Sequence, residues 1–115
     1  MWIYTELGFF SVVEKPNDIG RGTLTVRARK IGDLVALGRL MGTSARQVEA
    51  SDDTDYPVRM VASRAAVARA VERMVRAIDY GNFKLRVMAT QPDRLDAYHE
   101  IHAATIGIED ERKNQ

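Results

Sequence analysis

The chain has 115 residues, 45% hydrophobic and 29% charged, which is the balance of a folded globular domain and excludes a disordered one. Its 17 basic and 16 acidic residues leave a net charge of +1, so no global field invites nucleic acid or a membrane, and any anion site must come from local clustering. Cysteine is absent, which rules out disulfides and thiolate chemistry and fits a reducing cytoplasm.

The opening "MWIYTELGFFSVVEK" is as apolar as a signal peptide. It lacks a basic leading segment, carries Glu6 early and has no small-residue cleavage site, and it is too short and interrupted to cross a bilayer. Its aromatic and β-branched residues predict strands over Trp2–Thr5 and Gly8–Glu14, or one long strand bent at Leu7-Gly8. "KPNDIGRG" is turn chemistry. In "TLTVRARK", Leu24, Val26 and Ala28 alternate with Thr25, Arg27 and Arg29, the period of a strand with one buried face. Two arginines therefore point the same way.

Asp33 suits a helix cap, with Leu34, Leu37, Leu40 and Met41 inward and Gly42 as terminator. "RQVEAS" reads as a short strand, "DDTD" as a turn, and "YPVRMVAS" as a strand that Pro57 confines to an edge or to its own start. Ser63 caps the strongest helix, Arg64–Ile78, whose apolar stripe is Val67, Val71, Met74 or Val75, and Ile78. "YGNFK" ends it, and a last helix begins near Pro92 and runs to about Thr105. The order ββαββαα predicts an α+β fold: a single antiparallel sheet with helices on one face, a ferredoxin-like sandwich. Residues 1–107 read as one domain and 108–115 as a solvated tail.

Three clusters carry chemistry. Arg27 and Arg29 share a strand face, and Arg59 on a neighbouring strand can join them around one anion, since guanidinium binds phosphate or carboxylate in a bidentate fork. The plain alternative pairs these arginines with Glu14, Glu49 or Asp55 as surface decoration. The two stretches "TDYPVR" and "IDYGNFK" each place an acid before a tyrosine. Tyr56, Tyr80 and Phe83 offer ring faces, and Asn82 and Lys84 add an amide and a cation, a set that can cradle a nucleobase and its phosphates. Here the plain alternative is core-rim packing and helix-end hydrogen bonding, with Gly81 as a left-handed stop. Asp96, His99 and His102 fall on one side of a helix, as a metal site needs, but helical histidine pairs are most often surface residues. Finally, Trp2, Tyr4, Phe9 and Phe10 exceed what one sheet face can bury, which predicts self-association through the open face or an edge.

The segments "MWIYTELGFFSVV", "LTVRAR" followed by "GDL", "TDYPVR" and "IDYGNFK" resemble a family of short bacterial proteins, with relatives that phages can carry. Its pattern is W-[LI]-[FY]-T-x-x-G-F-[FY]-S, VRAR, D-Y-x-x-R and N-F-K, then a helix with Tyr-His. The resemblance covers most of the chain in order and attaches no activity. It implies that Trp2, Thr5, Gly8, Phe9, Ser11, Arg27, Arg29, Asp55, Tyr56, Arg59, Asn82, Phe83, Lys84, Tyr98 and His99 are the motif positions. His102 stands where the pattern has tryptophan.

The expected function is that of a non-enzymatic, self-associating binding protein without cofactor or metal. Arg27, Arg29, Arg59 and Lys84 would hold an anionic nucleotide-like molecule around one shared hollow, with Tyr56, Tyr80 or Phe83 stacking on it and Asn82 adding an amide. Encoded by a phage, such a protein would sequester a host signalling nucleotide. The rival classes are an inhibitor or interaction module that docks on a host protein, and a small hydrolase working through His99, His102 and Asp96.

Overall fold

The structure is a computed structural model, and it describes residues 1–42, 48–50 and 55–110. The predicted turn "DDTD" falls mostly outside these residues, as do the flanks of the "RQVEAS" strand and the end of the tail. The chain divides into two compact units, Met1–Asp79 and Tyr80–Gln115.

The first unit is built on an antiparallel sheet. Its strands are β1 (Trp2–Tyr4), β2 (Phe9–Val13), β3 (Thr23–Ala28), β4 (Glu49–Ala50) and β5 (Val58–Ser63), in the order β1-β2-β3-β5-β4. Two helices, α1 (Ile31–Met41) and α2 (Arg64–Arg76), cover one face. Phe10, Val12, Val26, Ala28, Met60 and Ala62 project from the sheet into this layer and meet Leu34, Leu37, Met41, Val67 and Ala70. The α+β class and the single antiparallel sheet are as the alternation predicts.

The opening segment forms a hairpin instead of one bent strand. Tyr4 pairs with Phe9, and the intervening turn is closed by the Thr5 hydroxyl, which donates to Gly8 O and accepts from the Leu7 and Gly8 amides. Pro57 stands just before β5, so that strand can lie inside the sheet between β3 and β4 without losing a ladder donor.

Asp33 is not the cap of α1. The cap is three residues earlier, at Lys30, and the buried Asp33 carboxylate instead accepts the Phe9 amide at 3.1 Å. Gly42 does terminate the helix, at φ +83°, with its amide on Arg39 O. Ser63 caps α2 as expected, its Oγ accepting Ala66 N at 3.0 Å. The apolar stripe of α2 differs from the expectation. Val67 and Ala70 are buried and Met74 packs on the core, whereas Val75 and Ile78 stay exposed. The hydrophobic spacing of α2 fits two adjacent stripes, and the sheet takes only one of them.

A short 3-10 turn, Pro16–Asp18, folds back over the sheet's other face. Asp18 is buried there. Its Oδ1 accepts the Thr23 hydroxyl at 2.6 Å, and its Oδ2 accepts the Thr25 hydroxyl at 2.8 Å and the Lys15 amide at 2.9 Å. This cluster explains why Thr25, on the polar side of β3, is also buried.

The second unit consists of α3 (Phe83–Thr90), a 3-10 turn at Pro92–Arg94 and α4 (Leu95–Thr105). The sequence reading lacks α3. Asn82 caps it, Oδ1 accepting Leu85 N at 2.9 Å, so "YGNFK" begins a helix as well as following one. Gly81 is not among the glycines with positive φ, and the α2 C-cap is Ala77 in right-handed conformation. The last helix begins near Pro92 as expected, the 3-10 turn at Pro92–Arg94 leading into α4 at Leu95. No helix among the described residues is long and apolar enough to cross a membrane.

Candidate functional site

Residues expected to form the site divide between the units. Arg27, Arg29, Tyr56 and Arg59 belong to the sheet unit, and Tyr80, Asn82, Phe83 and Lys84 to the helical unit.

In the sheet unit, pairing brings one row of residues across all five strands. Trp2 faces Ser11, Ser11 faces Arg27, Arg27 faces Arg59, and Arg59 faces Glu49. Two like charges directly opposite on a sheet repel. Neighbouring groups offset this: Arg27 Nη2 donates to the buried Ser11 hydroxyl at 2.9 Å, and its guanidinium carbon lies 4.5 Å from the Tyr56 ring centroid. The Arg29 guanidinium lies 5.5 Å from the same centroid. Tyr56 is 7% exposed and also contacts Phe9, which stacks on Tyr4 at 4.4 Å. Such a ring holds the two arginines in place, and little of it is left to receive a ligand. Glu14, one of the expected partners for these arginines, pairs with Arg64 instead, at 2.8 Å.

Beside this row lies a hollow of about 320 Å³ with Thr25 and Val61 among its lining. Lys15, Arg21 and Arg59 line it, and so do Asp18 and Glu49. Hydrogen bonding from Thr23 lowers the Asp18 pKa most, burial opposes this, and Lys15 N, Thr25 and the Arg21 charge add to the lowering. Asp18 therefore stays ionised and offsets part of the positive charge.

The helical unit holds a cleft of about 370 Å³ between α3 and α4. From α3 and its cap come Asn82, Phe83, Lys84 and Val87; from α4 come Leu95, Tyr98, His99 and His102. The α4 residues fall at i, i+3, i+4 and i+7, one face of the helix. Phe83 and Tyr98 are near-parallel, with centroids 6.0 Å apart and planes at 13°, and Tyr80 adds a third ring 6.3 Å from Phe83. The Arg86 guanidinium covers Tyr80 at 4.9 Å. Among the described residues, no carboxylate lines this cleft.

The cleft thus unites Asn82, Phe83 and Lys84 with His99 and His102, which the sequence reading had assigned to a rival chemistry. Val87 and Leu95 were not singled out at all. Their signal was the i, i+4 step from Phe83 to Val87 and the step from Leu95 to His99, readable once α3 is recognised. Asp96 does not line the cleft, and among the described residues no three histidine or carboxylate side chains gather as a metal would need.

Comparison with known proteins adds no further identification: no protein-family model, curated protein or solved structure matches the chain.

Proposed function

We propose that the chain is a binding protein for a small anion that carries an aromatic ring, of the nucleotide type, seated in the α3–α4 cleft. One observation carries the reading. Lys84, His99 and His102 line a single hollow together with the rings of Phe83 and Tyr98, and no described carboxylate opposes them. The volume of about 370 Å³ falls within the ~300–1,000 Å³ usual for small-molecule sites.

Magnitudes favour a ligand with both features. Stacking of one base contributes ~1–3 kcal/mol. A charge-assisted hydrogen bond contributes about 1.5–3 kcal/mol. A millimolar complex already needs about 4 kcal/mol, so neither contact suffices alone. A bare phosphate or a bare nucleoside should bind far more weakly than the two joined.

Calorimetric titration with adenosine monophosphate, adenosine and inorganic phosphate tests this. The monophosphate should bind, Lys84→Ala should weaken it about tenfold (~1.4 kcal/mol), and the two fragments should bind much more weakly. Absence of heat with any nucleotide up to millimolar concentration contradicts the reading.

A further inference from the structure

On α2, Ala68 is exposed and Val71 only half-buried, beside the Val67 and Ala70 face that packs on the sheet. Arg64, Ala68 and Val71 follow one another at steps of four and three, as along a coiled-coil seam. Here lies an almost wholly apolar groove of about 410 Å³, with Met1, Val12 and Leu24 on one side and Val67, Ala68 and Val71 on the other. Arg64 and Glu72 line it as well.

We infer that this groove receives a second copy of the chain, with the two α2 helices antiparallel about a twofold axis beside Ala68. The charges select this occupant and its direction. Arg64 and Glu72 stand four residues either side of Ala68, about 12 Å apart along the helix at ~1.5 Å per residue. A twofold contact requires that if one residue meets another, the reverse contact also forms. Antiparallel pairing centred on Ala68 places Arg64 of each copy against Glu72 of the other, twice. Parallel pairing would set arginine on arginine and glutamate on glutamate. Ala68 at the axis is small enough for the helices to approach closely, and Val71 of each copy lies beside Ala65 of the other.

Within one chain, Arg64 bonds Glu14 at 2.8 Å and Glu72 bonds Arg76 at 3.1 Å, all of them solvent-exposed groups. Exposed pairs of this kind are weak, so exchanging them for pairs across an apolar seam costs little. The groove residues all belong to the first unit and none lines the ligand cleft, so the inference stands or falls separately from that reading.

Analytical ultracentrifugation, with circular dichroism as a check on folding, tests the inference. The wild-type chain should sediment at twice its monomer mass. Arg64→Glu alone and Glu72→Arg alone should each raise the dimer dissociation constant tenfold or more, by placing like charges together at both ends of the seam. The double swap, Arg64→Glu with Glu72→Arg, should restore the dimer, an outcome that a merely structural role for either residue would not produce. Ala68→Arg should give a folded monomer. A monomeric wild type overturns the inference. So does a dimer that withstands Ala68→Arg, or that is lost with Trp2→Ala in place of the α2 variants and so belongs to the sheet edge, or a double swap that stays monomeric and folded.

Discussion

The carboxylate of Asp33 fills the space that a side chain at Gly8 would need. A Cβ placed on Gly8 would collide with Asp33 Cγ, while Asp33 Oδ2 accepts the amide of Phe9, the residue after Gly8. This contact ties the first turn of α1 to the β1–β2 hairpin. Gly8→Ala should cost about 1–3 kcal/mol through overpacking. Asp33→Ala should cost about 1–3 kcal/mol by leaving the Phe9 amide without its acceptor. The double variant should cost less than the sum, because removing the carboxylate also removes the collision. Urea denaturation of the three variants measures all of these.

The Asp18 cluster makes stability depend on pH at the acid end. Its folded pKa lies below the ordinary 3.8, chiefly through the Thr23 hydroxyl. A carboxyl with a depressed folded pKa contributes stability that is present above the unfolded value and lost as pH falls through the folded one. Wild-type stability should therefore decline as pH falls below 3.8, and Asp18→Asn should be the less stable protein at neutral pH. The difference between the two should shrink on acidification. Thermal melts from pH 7 to pH 2 supply the test, and parallel curves for the two proteins would remove Asp18 from the explanation.

Tyr56 should matter to the sheet as a ring and not as a phenol. With Arg27 at 4.5 Å and Arg29 at 5.5 Å from its centroid, loss of the aromatic face forfeits about 0.5–2 kcal/mol of cation–π attraction, in addition to lost packing. Tyr56→Phe should unfold within about 1 kcal/mol of wild type, whereas Tyr56→Leu should lose the cation–π part as well. Equal losses in chemical denaturation would mean that the hydroxyl, not the ring, anchors the arginines.

Much of this was legible in the sequence, for definite reasons. Alternation in Leu24–Ala28 gave the buried face of β3, and Ser63 and Gly42 marked helix ends, because these signals depend only on neighbours along the chain. Asp33 was recognised as belonging to a helix start, but its actual partner, Phe9 N, is 24 residues away and leaves no local trace. The stripe of α2 was legible only in part, Val67 and Met74 lying inward but not Val75 or Ile78, for a related reason. Val67, Val71, Met74, Val75 and Ile78 satisfy two overlapping helical faces, and only the sheet decides which one is inside. Helix α3 was missed because Gly81 and Asn82 read equally well as the end of one helix or the beginning of another. That omission hid Val87 and Leu95 and separated Lys84 from the two histidines.

Asn82 links local structure to the cleft. Loss of its cap in Asn82→Ala should cost about 0.5–2 kcal/mol of α3 stability. Ligand affinity should fall with it, since Phe83, Lys84 and Val87 all depend on that first turn. Asn82→Asp should keep the cap but bring a carboxylate to the cleft. It should therefore retain helicity by circular dichroism while weakening an anion, a split that separates the capping role from the electrostatic one.

The most direct measurement of the central claim is a titration of the isotope-labelled protein with adenosine monophosphate, followed by amide chemical-shift mapping. The expected result is saturable shifts confined to residues 82–87 and 95–102, with the Arg27, Arg29 and Arg59 amides unmoved. Shifts concentrated on β3 and β5 would instead place the anion on the sheet face. No shifts at millimolar ligand would contradict a nucleotide-type site in this protein.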